Sequence, residues 1–208
     1  MSAPPVRLEA EGLVRLPPAV PGLRIGLYGG SFNPAHLGHR HVSLVALKRL
    51  RLDRIWWMVT PGNPLKDRTA LAPLETRVAV ASAVADHPRI AITGFETQIG
   101  ARYTRQSLAY LQARHPAVRF VWIMGADSLA AFHRWRDFRA IAATMPIAII
   151  DRPGFTLTAP SARGAQAMGR WRIDESDAGL LADLEPPAWV FLHGPRSTLS
   201  STALRAGR

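Results

Sequence analysis

Gly29-Gly30-Ser31-Phe32-Asn33-Pro34-Ala35-His36-Leu37-Gly38-His39 follows the short apolar segment Ile25-Gly26-Leu27-Tyr28 and runs into a helical pattern. Strand, glycine turn and helix in that order hold phosphates in α/β folds, because the free amides and positive dipole end of a helix favour anions. The two glycines permit positive φ and a close backbone approach to the anion. Pro34 stiffens the turn, and Gly38 leaves room beside His39. Neither the dinucleotide spacing G-x-G-x-x-G nor a Walker spacing ending in Gly-Lys-Ser/Thr is present. What distinguishes this turn is the pair His36 and His39. A loop that only binds phosphate needs no imidazoles. Two of them, able to respond to a phosphate near pH 7, point to charge stabilised during phosphoryl or nucleotidyl transfer. The plainer reading of either histidine is a helix cap.

Outward from the turn, strand-like segments alternate with helical patterns. The strands are expected at 24–28, 54–60, 90–93, 119–124, 146–151 and 189–193, and the helices near 37–51, 73–86, 104–114 and 138–143. Val121-Trp122-Ile123-Met124 and Ile147-Ala148-Ile149-Ile150 are continuous apolar runs, as in strands buried on both faces of a parallel sheet. The alternation predicts an α/β, doubly wound, mainly parallel sheet with its ligands beyond the carboxyl ends of the strands. Pro61-Gly62-Asn63-Pro64-Leu65-Lys66, Gly125-Ala126-Asp127-Ser128 and Asp151-Arg152-Pro153-Gly154 all follow strands, so one shared crevice is expected. Residues 155–187 read as a less regular excursion.

The 208 residues suffice for one domain with a substantial core. The Pro-rich stretch from Met1 to Pro21 lacks the apolar core of a signal peptide. It divides the chain into a disordered extension, 1–23, and a single domain, 24–208. The absence of cysteine excludes disulfides and thiolate metal sites. No apolar run approaches the roughly 18 residues of a membrane span, and a cytoplasmic protein is expected. A net charge of +11 invites a nucleic-acid reading. The arginines are dispersed, however, and no helix-turn-helix, RNA-binding aromatic signature or zinc spacing accompanies them, so small anionic substrates are the better expectation. The sequence leaves oligomeric state open.

A second anion site is expected at Leu199-Ser200-Ser201-Thr202-Ala203-Leu204-Arg205, where three hydroxyl residues read as an N-cap and first helical turn. Arg205, one turn on, supplies a fixed charge and a fork of donors suited to phosphate oxygens.

Together the (H/T)-x-G-H turn and the Ser-Ser-Thr-x-x-Arg segment resemble the nucleotidylyltransferase superfamily, with its Rossmann-like fold. Asn63-Pro64-Leu65-Lys66, Tyr103-Thr104, Gly125-Ala126-Asp127-Ser128-Leu129, Trp135 and Arg152-Pro153-Gly154 narrow the resemblance to the bacterial nicotinate-nucleotide adenylyltransferases, over about residues 24–205. That resemblance implies transfer of an adenylyl group from ATP, with Mg²⁺, to nicotinate mononucleotide, giving nicotinate adenine dinucleotide and pyrophosphate in NAD biosynthesis. It implies catalytic roles for His36, His39 and Arg205 and no protein nucleophile or protein-held metal. ATP would contact Gly29, Gly30, Ser31, Phe32, His36, His39, Gly125 and Asp127, with Ser200, Ser201, Thr202 and Arg205 on its β- and γ-phosphates.

Nicotinate mononucleotide would meet Asn63, Lys66, Tyr103, Thr104, Trp135 and Arg152. Trp135 would stack on the pyridine ring, and the Tyr103-Thr104 backbone would read the nicotinate carboxylate. Two readings stand for several positions. Asp127 is a ribose partner or a helix cap, Lys66 a phosphate-steering or a solvated loop lysine, and Arg152 a nucleotide contact or the end of a strand. The chain departs from many relatives at Asn33, where Asp is frequent, and at Arg105-Gln106-Ser107, where an acid and Thr are common. The alternatives are an adenylyltransferase of nicotinamide mononucleotide or another acceptor and, from a different class, a non-catalytic nucleotide sensor or a nucleic-acid binder.

Overall fold

Apolar runs without polar alternation must be covered on both sides. In the computed structural model, which describes residues 14–62 and 71–194, they form the strands of one sheet. The strands are β1 (Arg24–Gly30), β2 (Arg54–Val59), β3 (Ile90–Thr93), β4 (Arg119–Gly125), β5 (Ile147–Ile150) and β6 (Trp189–Leu192). Their spatial order is β3-β2-β1-β4-β5-β6, and every neighbouring pair is parallel. The direction of winding reverses between β1 and β4. The connections leaving those two strands therefore diverge to opposite faces and open a crevice at their carboxyl ends.

Helix α1 (Leu37–Arg49) follows β1 and α2 (Leu74–Ala85) follows β2. Between β3 and β4 lie α3 (Phe95–Gln98) and α4 (Thr104–Arg114), and between β4 and β5 lie α5 (Ala126–Ala131) and α6 (Phe138–Thr144). The excursion before β6 holds a short α7 (Arg163–Ala167) and a 3₁₀ segment, Glu175–Asp183. Helix α1 stops before Arg51, whose φ of 51° is left-handed and incompatible with continuation.

Successive residues of each strand point to opposite faces, so the sheet builds two cores. Tyr28, Trp57, Val121, Ile123, Ala148 and Val190 face Val42, Leu47, Val78 and Leu181. On the other side Leu27, Trp56, Trp122, Ile149 and Phe191 face Phe95, Leu108, Leu129 and Ile141. Residues 14–23 of the expected extension lie against this second face, with Leu16, Ala19 and Leu23 packed on it. They are tied by the Thr93 hydroxyl donating to the Arg15 carbonyl and by the Gly22 N–H donating to the Ala117 carbonyl. At the far end of the sheet, Arg172 bridges to Trp189 in parallel sense, and the Ile173 N–H donates to the Trp189 carbonyl at 2.9 Å. Among the described residues, no helix is long and apolar enough to cross a membrane.

Candidate active site

Gly29 and Gly30 close β1, paired with Met58 and Val59 of β2, and neither adopts positive φ. The expectation of a left-handed glycine turn is therefore corrected. Their role is space. A Cβ on Gly29 would lie 2.4 Å from Cη2 of Trp122, and one on Gly30 would lie 3.3 Å from the Phe32 ring. The left-handed residue is Phe32 itself, at φ 45°. A non-glycine residue there costs of order 1 kcal/mol. That cost is offset by burying the ring, which stacks on Trp57 at 4.9 Å and meets Tyr28 edge-on at 5.8 Å.

This aromatic wall supports His39, whose ring centroid lies 4.8 Å from that of Phe32 and 3.9 Å from that of His36. His36 is the N-cap of α1, and its Nδ1 accepts the Gly38 N–H at 3.1 Å. The Nδ1 of His39 accepts the His36 backbone N–H at 3.2 Å. A neutral imidazole carries one proton, so both rings hold theirs on Nε2. Burial, with the Arg152 charge adding to it, pushes His36 down to about 4. Burial above all, then His36 and Arg152, pushes His39 down to about 3. Both are neutral near pH 7. The Nε2–H of His36 is buried without a hydrogen-bond partner among the described residues. His36 thus caps the helix through Nδ1 alone.

Across the crevice, Arg152 donates from Nη1 to Oδ2 of Asp127 at 3.1 Å. Asp127 lies inside the first turn of α5, whose N-cap is Gly125, so it is no cap. Gly125 makes room for this pair, since a Cβ there would lie 2.4 Å from Asp127 Oδ1 and 3.0 Å from Arg152 Cδ. The phenol of Tyr28 is pushed up to about 12 by burial, with Arg152 opposing and Asp127 reinforcing the shift. The charge of Arg152 thus acts on Tyr28, His36 and His39. Arg152 does not line the cavity expected for the mononucleotide.

That cavity, of about 380 Å³, runs from Gly29, Gly30 and Ser31 to Tyr103, Thr104 and Trp135. Its size suits a small organic ligand. The Trp135 ring is held edge-on by Phe132 at 5.5 Å, and the Arg136 guanidinium lies 4.7 Å above the Tyr103 ring. At the start of α4, Oε1 of Gln106 accepts the N–H groups of Arg102 and Tyr103 at 2.9 and 3.1 Å. The Gln106 N–H bonds back to the Tyr103 carbonyl, so the amides of Thr104 and Arg105 open the helix.

Arg77, from α2, is 3% exposed. It donates to the carbonyls of Ser31 and Thr60 through Nη1 and of Ala72 through Nε, at 2.7–2.8 Å. It thereby joins the loops that follow β1 and β2. Asn33 Oδ1 adds a bond from the Ala72 N–H at 3.3 Å.

Sequence reasoning missed Arg77 and the cavity residues Glu96, Arg102, Arg134 and Arg136. The two arginines flanking Trp135 were the one available signal; a lone Glu96 in a short segment gave none. Asn63, Lys66, Ser200, Ser201, Thr202 and Arg205 lie outside the described residues.

Residues 27–207 match the cytidylyltransferase-like family model. A relative from Methylorubrum extorquens, named "Probable nicotinate-nucleotide adenylyltransferase", is 68% identical over 183 residues, covering 88% of this chain and 99% of the relative. One of the same name from Agrobacterium fabrum is 59% identical over 181 residues, covering 87% and 97%. Among solved structures, the Plasmodium falciparum nicotinic acid mononucleotide adenylyltransferase complexed with NaAD aligns with a TM-score of 0.66 at 19% identity, covering 88% of this chain and 83% of that one. At that identity the likeness is one of fold.

Proposed function

The chain belongs to the cytidylyltransferase-like family and, within it, to the nicotinate-nucleotide adenylyltransferases, and from this membership we infer the reaction that its crevice carries out. It transfers the adenylyl group of ATP to nicotinate mononucleotide, giving nicotinate adenine dinucleotide and pyrophosphate, a step of NAD biosynthesis. The observation that carries this at residue level is one cavity bordered by both the Gly29–Ser31 end of the histidine turn and the Tyr103–Thr104 and Trp135 wall.

A phosphate oxygen of the mononucleotide attacks the α-phosphorus of ATP. The new P–O bond forms as the bond to the bridging oxygen of pyrophosphate breaks, and the leaving group carries away the electron pair. Such transfer is catalysed chiefly by positioning and electrostatics. His36 and His39 contribute two Nε2–H donors at the mouth of α1, both uncharged and already oriented through Nδ1. Donors fixed before the reaction stabilise developing charge without reorganising. Asp127 serves the adenosine ribose with Arg152 holding it in place. Trp135 offers its face to the pyridine ring, and the opening amides of α4 meet the acceptor's carboxylate. Ser200, Ser201, Thr202 and Arg205 take the β- and γ-phosphates, and Asn63 and Lys66 the acceptor.

ATP enters as its Mg²⁺ complex, so the ion is a component of the substrate. Among the described residues no three acidic, histidine or cysteine side chains gather to cage it, and Mg²⁺ bridging phosphate oxygens needs few protein ligands. The small-molecule reaction takes place in the cytoplasm.

Pyrophosphate release with ATP and a panel of acceptors at pH 7 tests the assignment. Nicotinate mononucleotide should react clearly faster than nicotinamide mononucleotide. Equal or inverted rates would overturn the acceptor, and no release with any acceptor would overturn the reaction.

A further inference from the structure

One buried ionisable group of the cavity has no task in the transfer itself. Glu96, in α3, borders the cavity yet is only 6% exposed. Among the described residues it is the single acidic side chain on that wall, where Arg102, Arg134 and Arg136 are also found. It forms no ion pair among the described residues. Its one side-chain partner there is Ser107, whose hydroxyl donates to Oε1 in a short hydrogen bond. Ser107 lies three residues after Thr104 on α4, hence on the same helical face as the residue that opens the expected carboxylate site. Oε2 has no hydrogen-bond partner among the described residues.

We propose that Glu96 is a specificity-determining residue of the acceptor cavity: its uncharged carboxyl donates from Oε2 to the carboxylate of the pyridine ring, and its ionised form turns that carboxylate away. The proposal rests on the adenylyl-transfer reading of the site and deepens it.

The chemistry follows from the geometry. With Ser107 donating to Oε1, that oxygen acts as the carbonyl acceptor and the acid proton belongs on Oε2. A carboxylic acid beside a carboxylate shares one proton favourably, whereas two carboxylates repel. The surroundings keep the proton in place. Burial pushes Glu96 up to about 7, with the Ser107 hydroxyl pulling the other way. Ser107 of α4 is the polar group bonded to it, and burial and Ser107 are the causes of its shift. Arg102, Arg134, Arg136 and Tyr103 line the same cavity. A carboxamide acceptor behaves differently. It can accept from the neutral acid and donate to the ionised one, so ionisation of Glu96 does not exclude it.

The test is the ratio of kcat/KM for nicotinate mononucleotide to kcat/KM for nicotinamide mononucleotide from pH 6.5 to 8.5. Titration of ATP, of the mononucleotide phosphate and of the histidines affects both acceptors alike and cancels in the ratio. Because kcat/KM reports ionisations of the free enzyme, the ratio should fall about tenfold or more over that range. Glu96→Gln, which keeps an acceptor for Ser107 and a donor for the ligand, should hold the ratio constant. Ser107→Ala should move the fall to higher pH, because it removes the bond that favours the ionised form. A flat ratio in the natural protein, or the same fall in Glu96→Gln, would overturn the proposal while leaving the reaction intact. Pyrophosphate release with neither acceptor would overturn the reaction, and this assignment with it.

Discussion

The backbone N–H of His36 donates to Nδ1 of His39 at 3.2 Å, so the capping residue of α1 sets the tautomer of the histidine one turn further on. The bond uses Nδ1 to hold the turn together and leaves Nε2–H for the proposed transfer. His39→Asn places an amide oxygen where Nδ1 accepts but removes the Nε2–H. Removing one such donor costs about 10²-fold in rate. We expect that fall in kcat with little change in ATP affinity or thermal midpoint, measured by steady-state kinetics, direct ATP binding and a melting curve. A loss confined to KM would reduce His39 to a binding group.

The low values at both histidines make stability depend on pH. In the unfolded chain each imidazole binds a proton below about 6.5. In the folded protein His36 does so only near 4 and His39 near 3. The unfolded state therefore holds more protons in between, and stability rises with pH across that window. It is fully present above pH 6.5 and falls on acidification toward 4, at about 1.4 kcal/mol per pH unit for each histidine. Urea unfolding at pH 7, 5.5 and 4.5 should show the fall, and His39→Asn should make it shallower. An unchanged slope in that variant contradicts the account.

Gly29→Ala drives a methyl group into the buried ring of Trp122. Overpacking of this kind costs about 1–3 kcal/mol. The expected loss, read from chemical denaturation, should shrink in a Gly29→Ala, Trp122→Leu double variant relative to the sum of the two single changes. Strict additivity would show that the contact is not the cause.

Arg77→Leu leaves the carbonyls of Ser31, Thr60 and Ala72 without their donor. These bonds are part-buried, so each orphaned carbonyl costs about 1 kcal/mol, the low end of the range for buried groups. The variant should lose stability heavily, and Arg77→Lys should recover only part, because an ammonium lacks the planar fork that reaches several acceptors at once. Full recovery by lysine would mean that charge alone matters at this position.

Much of the sheet was readable in advance because Val121–Met124 and Ile147–Ile150 are covered on both faces and so carry no polar interruption. The end of β1 was less so. Gly29 and Gly30 look like a turn in sequence, yet they continue the ladder because Met58 and Val59 pair with them. The short helices α3, α5 and α7 span too few residues to show a period. His36 and His39 were identifiable by spacing, but their charge was not. It depends on the wall of Tyr28, Phe32 and Trp57, assembled from β1, its following loop and β2. The tasks of Gln106 and Arg152 likewise depend on partners that spacing does not reveal: the amides of Arg102 and Tyr103, and the carboxylate of Asp127.

The short bridge beside β6 has a consequence for how copies of this chain meet. A strand at the margin of a sheet offers unused donors and acceptors that can template a strand from another molecule. Here Arg172 and Ile173 occupy that margin at Trp189. Growth of the sheet by recruitment of a second chain is obstructed at that point, so a basic protein at high concentration is guarded there against fibre-like stacking by its own backbone as well as by its charge.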